Sequence, residues 1–237
     1  MLNEILFALV FFLSYVVQAI SGFAGNIFAM PPGIHLLGLH NAIAAMNVLC
    51  IIAAGLVVVS NIRHVNWREL AKMVLGMLPF LALGIWLDSV LSLDIILKVY
   101  AVAVLFVGFR NLLVKKRRDY PVWLLAVFIA CAGLIQGMFV SGGAFLVIYA
   151  VQKLYEKQEF RATLSMVWVI LNIVYAVVSF ANGYYTGEVL RVIAMCIPLA
   201  FLATFIGQKI QGKISQERFL RFIYVLLVVI GIIMLVS

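Results

Sequence analysis

One passage that interrupts an apolar run occurs twice in this chain, near the start of each half. QAISGFAGNIFAMPP spans Gln18 to Pro32, and QGMFVSGGAFLVIYA spans Gln136 to Ala150. Each puts a glutamine and a cluster of Gly and Ser inside strongly hydrophobic sequence. Glycine costs about 1 kcal/mol in a helix interior relative to alanine. An amide left without a partner in hydrocarbon costs several kcal/mol. Two such breaks, with their glutamines 118 positions apart, predict two interrupted helices around a polar site at the middle of a membrane. That is the layout of a secondary transporter.

Composition supports the bilayer as solvent. Of 237 residues, 66% are hydrophobic and 11% charged, and the mean hydropathy is +1.19. Soluble domains carry charge on roughly a quarter of their residues. The net charge of +8 does not point to nucleic acid, because the Lys and Arg lie in short loops rather than on a basic face interleaved with aromatics. Cys50, Cys131 and Cys196 have no metal-ligand spacing and read as small packing residues. The apolar N-terminus lacks a basic leader and carries Glu4, so it reads as a retained first helix.

Ten apolar segments can be traced, at about 5–22, 23–38, 41–60, 69–87, 93–113, 120–138, 141–152, 160–182, 189–208 and 217–236. A full crossing needs about 20 helical residues. The second and seventh segments fall short of that and follow the two breaks directly. Each is a short tilted helix or half of a re-entrant hairpin. The halves also correspond downstream: Pro79 with Pro198, and Gly84, Ser92, Asp94 and Gly108 with Gly207, Ser215, Glu217 and Gly231. The expected organisation is a transmembrane repeat over 1–113, a basic cytoplasmic linker over 114–119 and a second repeat over 120–237.

Fifteen of the 17 Lys and Arg fall in four clusters, around 63–72, 110–118, 153–161 and 209–221. Cytoplasmic loops carry that excess. Placing the clusters inside puts both termini outside and inverts the two repeats. The fold class expected is all-α: a polytopic transmembrane helical bundle of two inverted-topology repeats, each opening with a Gly-broken helix or re-entrant hairpin.

The polar groups inside the apolar segments are amides and hydroxyls, and no Asp or Glu sits in mid-segment. A proton relay of buried carboxylates is therefore missing. Gln18, Ser21, Gly22, Gly25 and Asn26 form the first candidate site. Gln136, Ser141, Gly142 and Gly143 form the second. A Gly-rich turn leaves backbone N–H groups at the start of the next helix, where the helix dipole places about half a positive charge. Such a terminus binds small anions without a cationic side chain, and the neighbouring glutamine can add a directional hydrogen bond. Asn47, Ser165, Trp168, Asn172 and Tyr175 are candidate lining residues. The plain alternative is that single polar residues only bond a neighbouring helix; for Asn47, Ser165 and Asn172 that alternative is the stronger one.

With its two Gln–Gly breaks, and with GIWLDSVLSLDIILKVYAVAVLFVG (84–108) answered by GQKIQGKISQERFLRFIYVLLVVIG (207–231), the chain resembles the TauE/SafE family of sulfite exporters over nearly its whole length. The resemblance implies transport of a small sulfur oxyanion or organosulfonate across the bacterial inner membrane. It also implies that Gln18 and Gln136, with their Gly-rich turns, fall at the substrate site. The expected function is alternating-access transport of a sulfur-containing anion such as sulfite, thiosulfate or an organosulfonate. The rivals are a passive anion channel and a non-transporting helical subunit of a membrane complex. An enzyme is not expected, since the interior lacks a nucleophile–base pair or ligand set; nor is a cofactor, a metal or a nucleic-acid partner. The partners expected are the anion and the lipid bilayer, with H+ or Na+ as candidate coupling ions. The oligomeric state is open, with a homodimer among the candidates.

Overall fold

The computed structural model describes residues 2–88, 105, 109 and 120–236. Among them the chain forms nine α-helices and one 3-10 turn. In chain order they are α1 (Leu2–Ser21), α2 (Gly25–Leu37), α3 (Leu39–Asn61), the 3-10 turn Ile62–His64, α4 (Trp67–Asp88), α5 (Val122–Phe139), α6 (Gly143–Lys153), α7 (Lys157–Ala181), α8 (Gly187–Lys213) and α9 (Gln216–Val236). The apolar segment expected at 93–113 and the linker at 114–119 lie outside the described residues, apart from Leu105 and Phe109.

Six of these helices are long and apolar enough to cross a membrane: α1, α3, α4, α5, α7 and α8. α2 and α6 have 13 and 11 residues. At about 1.5 Å per residue they are roughly 20 and 16 Å long, against a hydrocarbon core of about 30 Å. The two short helices expected after the breaks are thus present. Large apolar side chains face outward along these helices, as lipid requires: Leu13, Leu75, Val177, Phe180 and Phe205 are all exposed. Trp67, Trp86 and Trp123 are exposed near helix ends, where aromatic anchors belong.

The chain divides into two compact units. One comprises Met1–Val74 and Gln158–Lys213, the other Leu75–Lys157 and Ile214–Ser237. This partition cuts across the repeats read from the sequence, since each unit draws helices from both halves. In the first unit α1 packs along α8 and α2, and α3 packs against α2 and α8. Apolar transfer from water does not hold helices together in lipid; close packing of small residues does. At Gly207 of α8 a Cβ would lie 2.5 Å from Ala19 Cβ and 2.8 Å from the Val16 carbonyl of α1. Phe7, Phe11 and Tyr15 fill the buried face of α1, with the Phe11 and Tyr15 rings 4.2 Å apart. The turn before α4 is tied to α7: Asn66 N–H donates to Thr163 Oγ1 (2.9 Å), and its Nδ2 to Glu159 Oε1 (2.7 Å). Asn66 Oδ1 also caps α4 by accepting from Glu69 N–H.

In the second unit α4 and α5 cross on glycines. A Cβ at Gly84 would collide with the Leu134 carbonyl, and one at Gly137 with the Leu81 carbonyl. Gly133 and Gly137 are spaced G-x-x-x-G, the pattern that lets two membrane helices approach backbone to backbone. α6 folds back against α5.

Candidate functional site: two broken helices

The two breaks are built alike at one sequence offset. α1 ends at Ser21 and α5 at Phe139; α2 begins at Gly25 and α6 at Gly143. In each, the residue after the first helix is left-handed: Gly22 at φ +89° and Val140 at φ +53°. Each left-handed residue sends its N–H back to the carbonyl of its own glutamine, Gly22 to Gln18 (2.6 Å) and Val140 to Gln136 (2.9 Å). Neither second helix has a side-chain N-cap, so first-turn N–H groups are left without an intrahelical acceptor.

In the first break the polar side chains form a connected network. Ser21 Oγ accepts from the N–H groups of Phe23 and Ala24, both at 3.3 Å. Two of the turn donors expected to be open are therefore taken by this hydroxyl. Gln18 lies over the start of α2, so close that a Cβ at Gly25 would collide with its amide oxygen. Tyr15 O–H donates to Asn26 Oδ1 at 2.5 Å. Gln18 Nε2 and Asn172 Nδ2 both donate to Cys50 Sγ at 3.6 Å. Asn172 Nδ2 also reaches the Trp168 carbonyl (2.8 Å), and its Oδ1 accepts from Asn47 Nδ2 (3.1 Å). Trp168 Nε1 donates to the Gly22 carbonyl at 2.8 Å. Tyr185 O–H reaches Asn47 Oδ1 at 3.5 Å, and burial holds this phenol above its ordinary pKa, so it stays a neutral donor.

The candidate residues Gln18, Ser21, Gly22, Gly25, Asn26, Asn47, Trp168 and Asn172 are thus gathered in one buried region of the first unit. Ser165 and Tyr175 are buried on the same side of α7, at the heptad-like spacing 165, 168, 172, 175 that defines one helix face. Unlike the three anchoring tryptophans, Trp168 is only 4% exposed.

In the second break Gln136 turns its amide onto its own turn: Oε1 accepts from Gly142 N–H at 3.0 Å. Its Nε2 is buried with no partner among the described residues. A Cβ at Gly142 would strike the Ala132 carbonyl, so the turn closes tightly on α5. Ser141 and Gly143 are buried beside it.

Tyr15 and Tyr185, which bond Asn26 and Asn47, were not singled out by sequence, and neither were Cys50 and Arg161. Cys50, read as a packing residue, is the shared acceptor between Gln18 and Asn172. Nothing in a lone apolar-segment cysteine signals that. Arg161, counted with a loop cluster, lies one turn inside α7 and is 3% exposed. The signal was present: Arg161, Ser165, Trp168, Asn172 and Tyr175 continue one stripe at spacings of four and three.

A buried polar network around a broken helix, in a chain with six helices long and apolar enough to span a bilayer, is the character of a multi-pass membrane protein of the transporter type. The chain belongs to the sulfite exporter TauE/SafE family, whose pattern it matches over residues 6–234. It is 25% identical over 175 residues to the "Probable inner membrane transporter protein TsaS" of Comamonas testosteroni, covering 73% of each chain. It is 22% identical over 224 residues to the "Probable sulfite/organosulfonate exporter TauE" of Cupriavidus necator, covering 90% of this chain and 86% of that one. No solved structure matches it.

Proposed function

We propose that this protein is a secondary transporter of a small sulfur-containing anion, sulfite, thiosulfate or an organosulfonate, in a bacterial inner membrane, and that it works by alternating access. The family description and the name of the Cupriavidus necator relative supply the substrate class. The observation that carries the site assignment is the network at the first break, where Gln18, Asn47, Cys50, Trp168 and Asn172 are linked in otherwise apolar surroundings. Membrane proteins keep polar side chains at such depth where they form a pathway.

In this reading the uncapped first turns of α2 and α6 offer N–H donors and the positive ends of their dipoles. Gln18 and Gln136 supply amide donors, and Asn47, Ser165, Trp168, Asn172 and Tyr175 line the route. Both termini face outward and the 110–118 run faces the cytoplasm, as the basic clusters direct. H+ or Na+ is the coupling ion.

Counterflow in proteoliposomes tests the proposal. Labelled sulfite should enter faster when unlabelled sulfite or sulfoacetate is trapped inside, because a carrier returns loaded. Anion flux without trans-stimulation would mean a passive channel. No sulfur-anion flux under any gradient would remove the substrate assignment.

A further inference from the structure

Among the described residues of the first unit, one buried cation is not used by the site above. Arg161 is 3% exposed, and its Nε has no hydrogen-bond partner among the described residues. No carboxylate among those residues pairs with it: Glu69 pairs with Lys72, and Glu4 with Arg191. Glu159, two positions away, is engaged by Asn66. The stem of Arg161 packs directly on the first break. A Cβ at Gly22 would lie 3.1 Å from Arg161 Cα and 3.2 Å from its Cγ. Arg161 also heads the stripe on α7 that continues through Trp168, bonded to the Gly22 carbonyl, and Asn172, bonded to Cys50.

A buried guanidinium without a counter-ion is unfavourable for the fold and persists where something else is its partner. Its planar fork suits an oxyanion, which it can hold through two parallel hydrogen bonds. We infer that Arg161 is the cationic ligand of the transported anion, binding a sulfur oxyanion or sulfonate group at the first break beside Gly22. This assignment rests on the anion-transport reading and deepens it. The site is asymmetric: the position 118 residues earlier is the buried, apolar Ile43, so the other half of the sequence supplies no equivalent cation.

The test is calorimetric binding of sulfite to detergent-purified wild type, Arg161→Lys, Arg161→Gln and Arg161→Met, with melting curves of each in the absence of anion. Wild type should bind. Arg161→Gln and Arg161→Met should lose about 30-fold or more in affinity, as removal of a charged hydrogen-bonding partner does. Arg161→Lys should fall between, since it keeps the charge and loses the fork. The anion-free Arg161→Met protein should melt higher than wild type, by about 2–4 °C or more, because an uncompensated buried charge has been removed. A purely structural arginine gives the opposite sign, a lower melting point with sulfite affinity intact. If Arg161→Gln binds sulfite as wild type does, the Arg161 assignment falls and the transport reading stands. If wild type binds no sulfur anion, both fall.

Discussion

The two breaks share a plan and differ in what they leave unsatisfied. In the first, the left-handed position is Gly22, which takes that conformation without steric cost. The polar side chains around it are paired across α1, α2, α3 and α7. In the second, the left-handed position is Val140 at φ +53°, where a β-branched residue is an outlier worth about 1–3 kcal/mol of strain. There Gln136 keeps a buried Nε2 with no partner among the described residues. One break is a network of paired amides resting on a buried arginine whose Nε has no partner among the described residues. The other holds strain and an unused donor. Strain and unsatisfied polar groups concentrate where a protein binds or moves. On the transport reading proposed above, the first break would hold the anion and the second would take the more changeable role.

Substitutions at matched positions can break this contrast. The largest effect is expected at Gly22. Gly22→Val forces a β-branched residue into the left-handed region and drives it into the Arg161 stem, for about 3–5 kcal/mol of destabilisation. Chemical unfolding in detergent would measure it; a cost below about 1 kcal/mol would mean the turn is not held against α7. Next come the glutamines. Gln18→Leu and Gln136→Leu should each lower sulfite uptake by about 10–100-fold, the worth of a hydrogen bond to a charged ligand, with expression unchanged. Gln136→Leu should also be the milder of the two in thermal stability, because it removes an unpaired donor along with the acceptor for Gly142. Unimpaired uptake by both variants would take the glutamines out of the site. The smallest effect concerns Val140. Val140→Gly relieves left-handed strain, so it should cost about 1–3 kcal/mol less than Val147→Gly in α6, where an equally buried valine sits in ordinary helix. Equal losses would show that Val140 stores no strain.

Much of this organisation was legible in the sequence because its signals are local. Glycine clusters after Gln18 and Gln136 mark helix ends, and a hydrophobic run's length gives helix length, so both breaks and both short helices could be read directly. The equivalence of Gly22 and Val140 was harder to see, because a left-handed position normally advertises itself as Gly or Asn. The roles of Cys50 and Arg161 depend on which helix face meets which neighbour. That is a tertiary fact, hidden for Arg161 by a helix starting at Lys157, a few residues before its apolar run. The partition into two units was not legible either: helix–helix contacts join α1–α3 to α7 and α8, and sequence repeats do not encode those pairings.

The central reading proposed here is that a small sulfur anion is handled at the broken helices, with no Asp or Glu in mid-segment. It is tested most directly by thermal stabilisation of the purified protein with sulfite, thiosulfate and sulfoacetate, against matched cations at equal ionic strength. A ligand at about 100 times its Kd adds about 2.7 kcal/mol to the folded state, which for a chain of this size shifts the midpoint by roughly 5–10 °C. The account expects that shift with at least one of the sulfur anions and none with the cations. Stabilisation by a cation, with no response to any of the three anions, would contradict it.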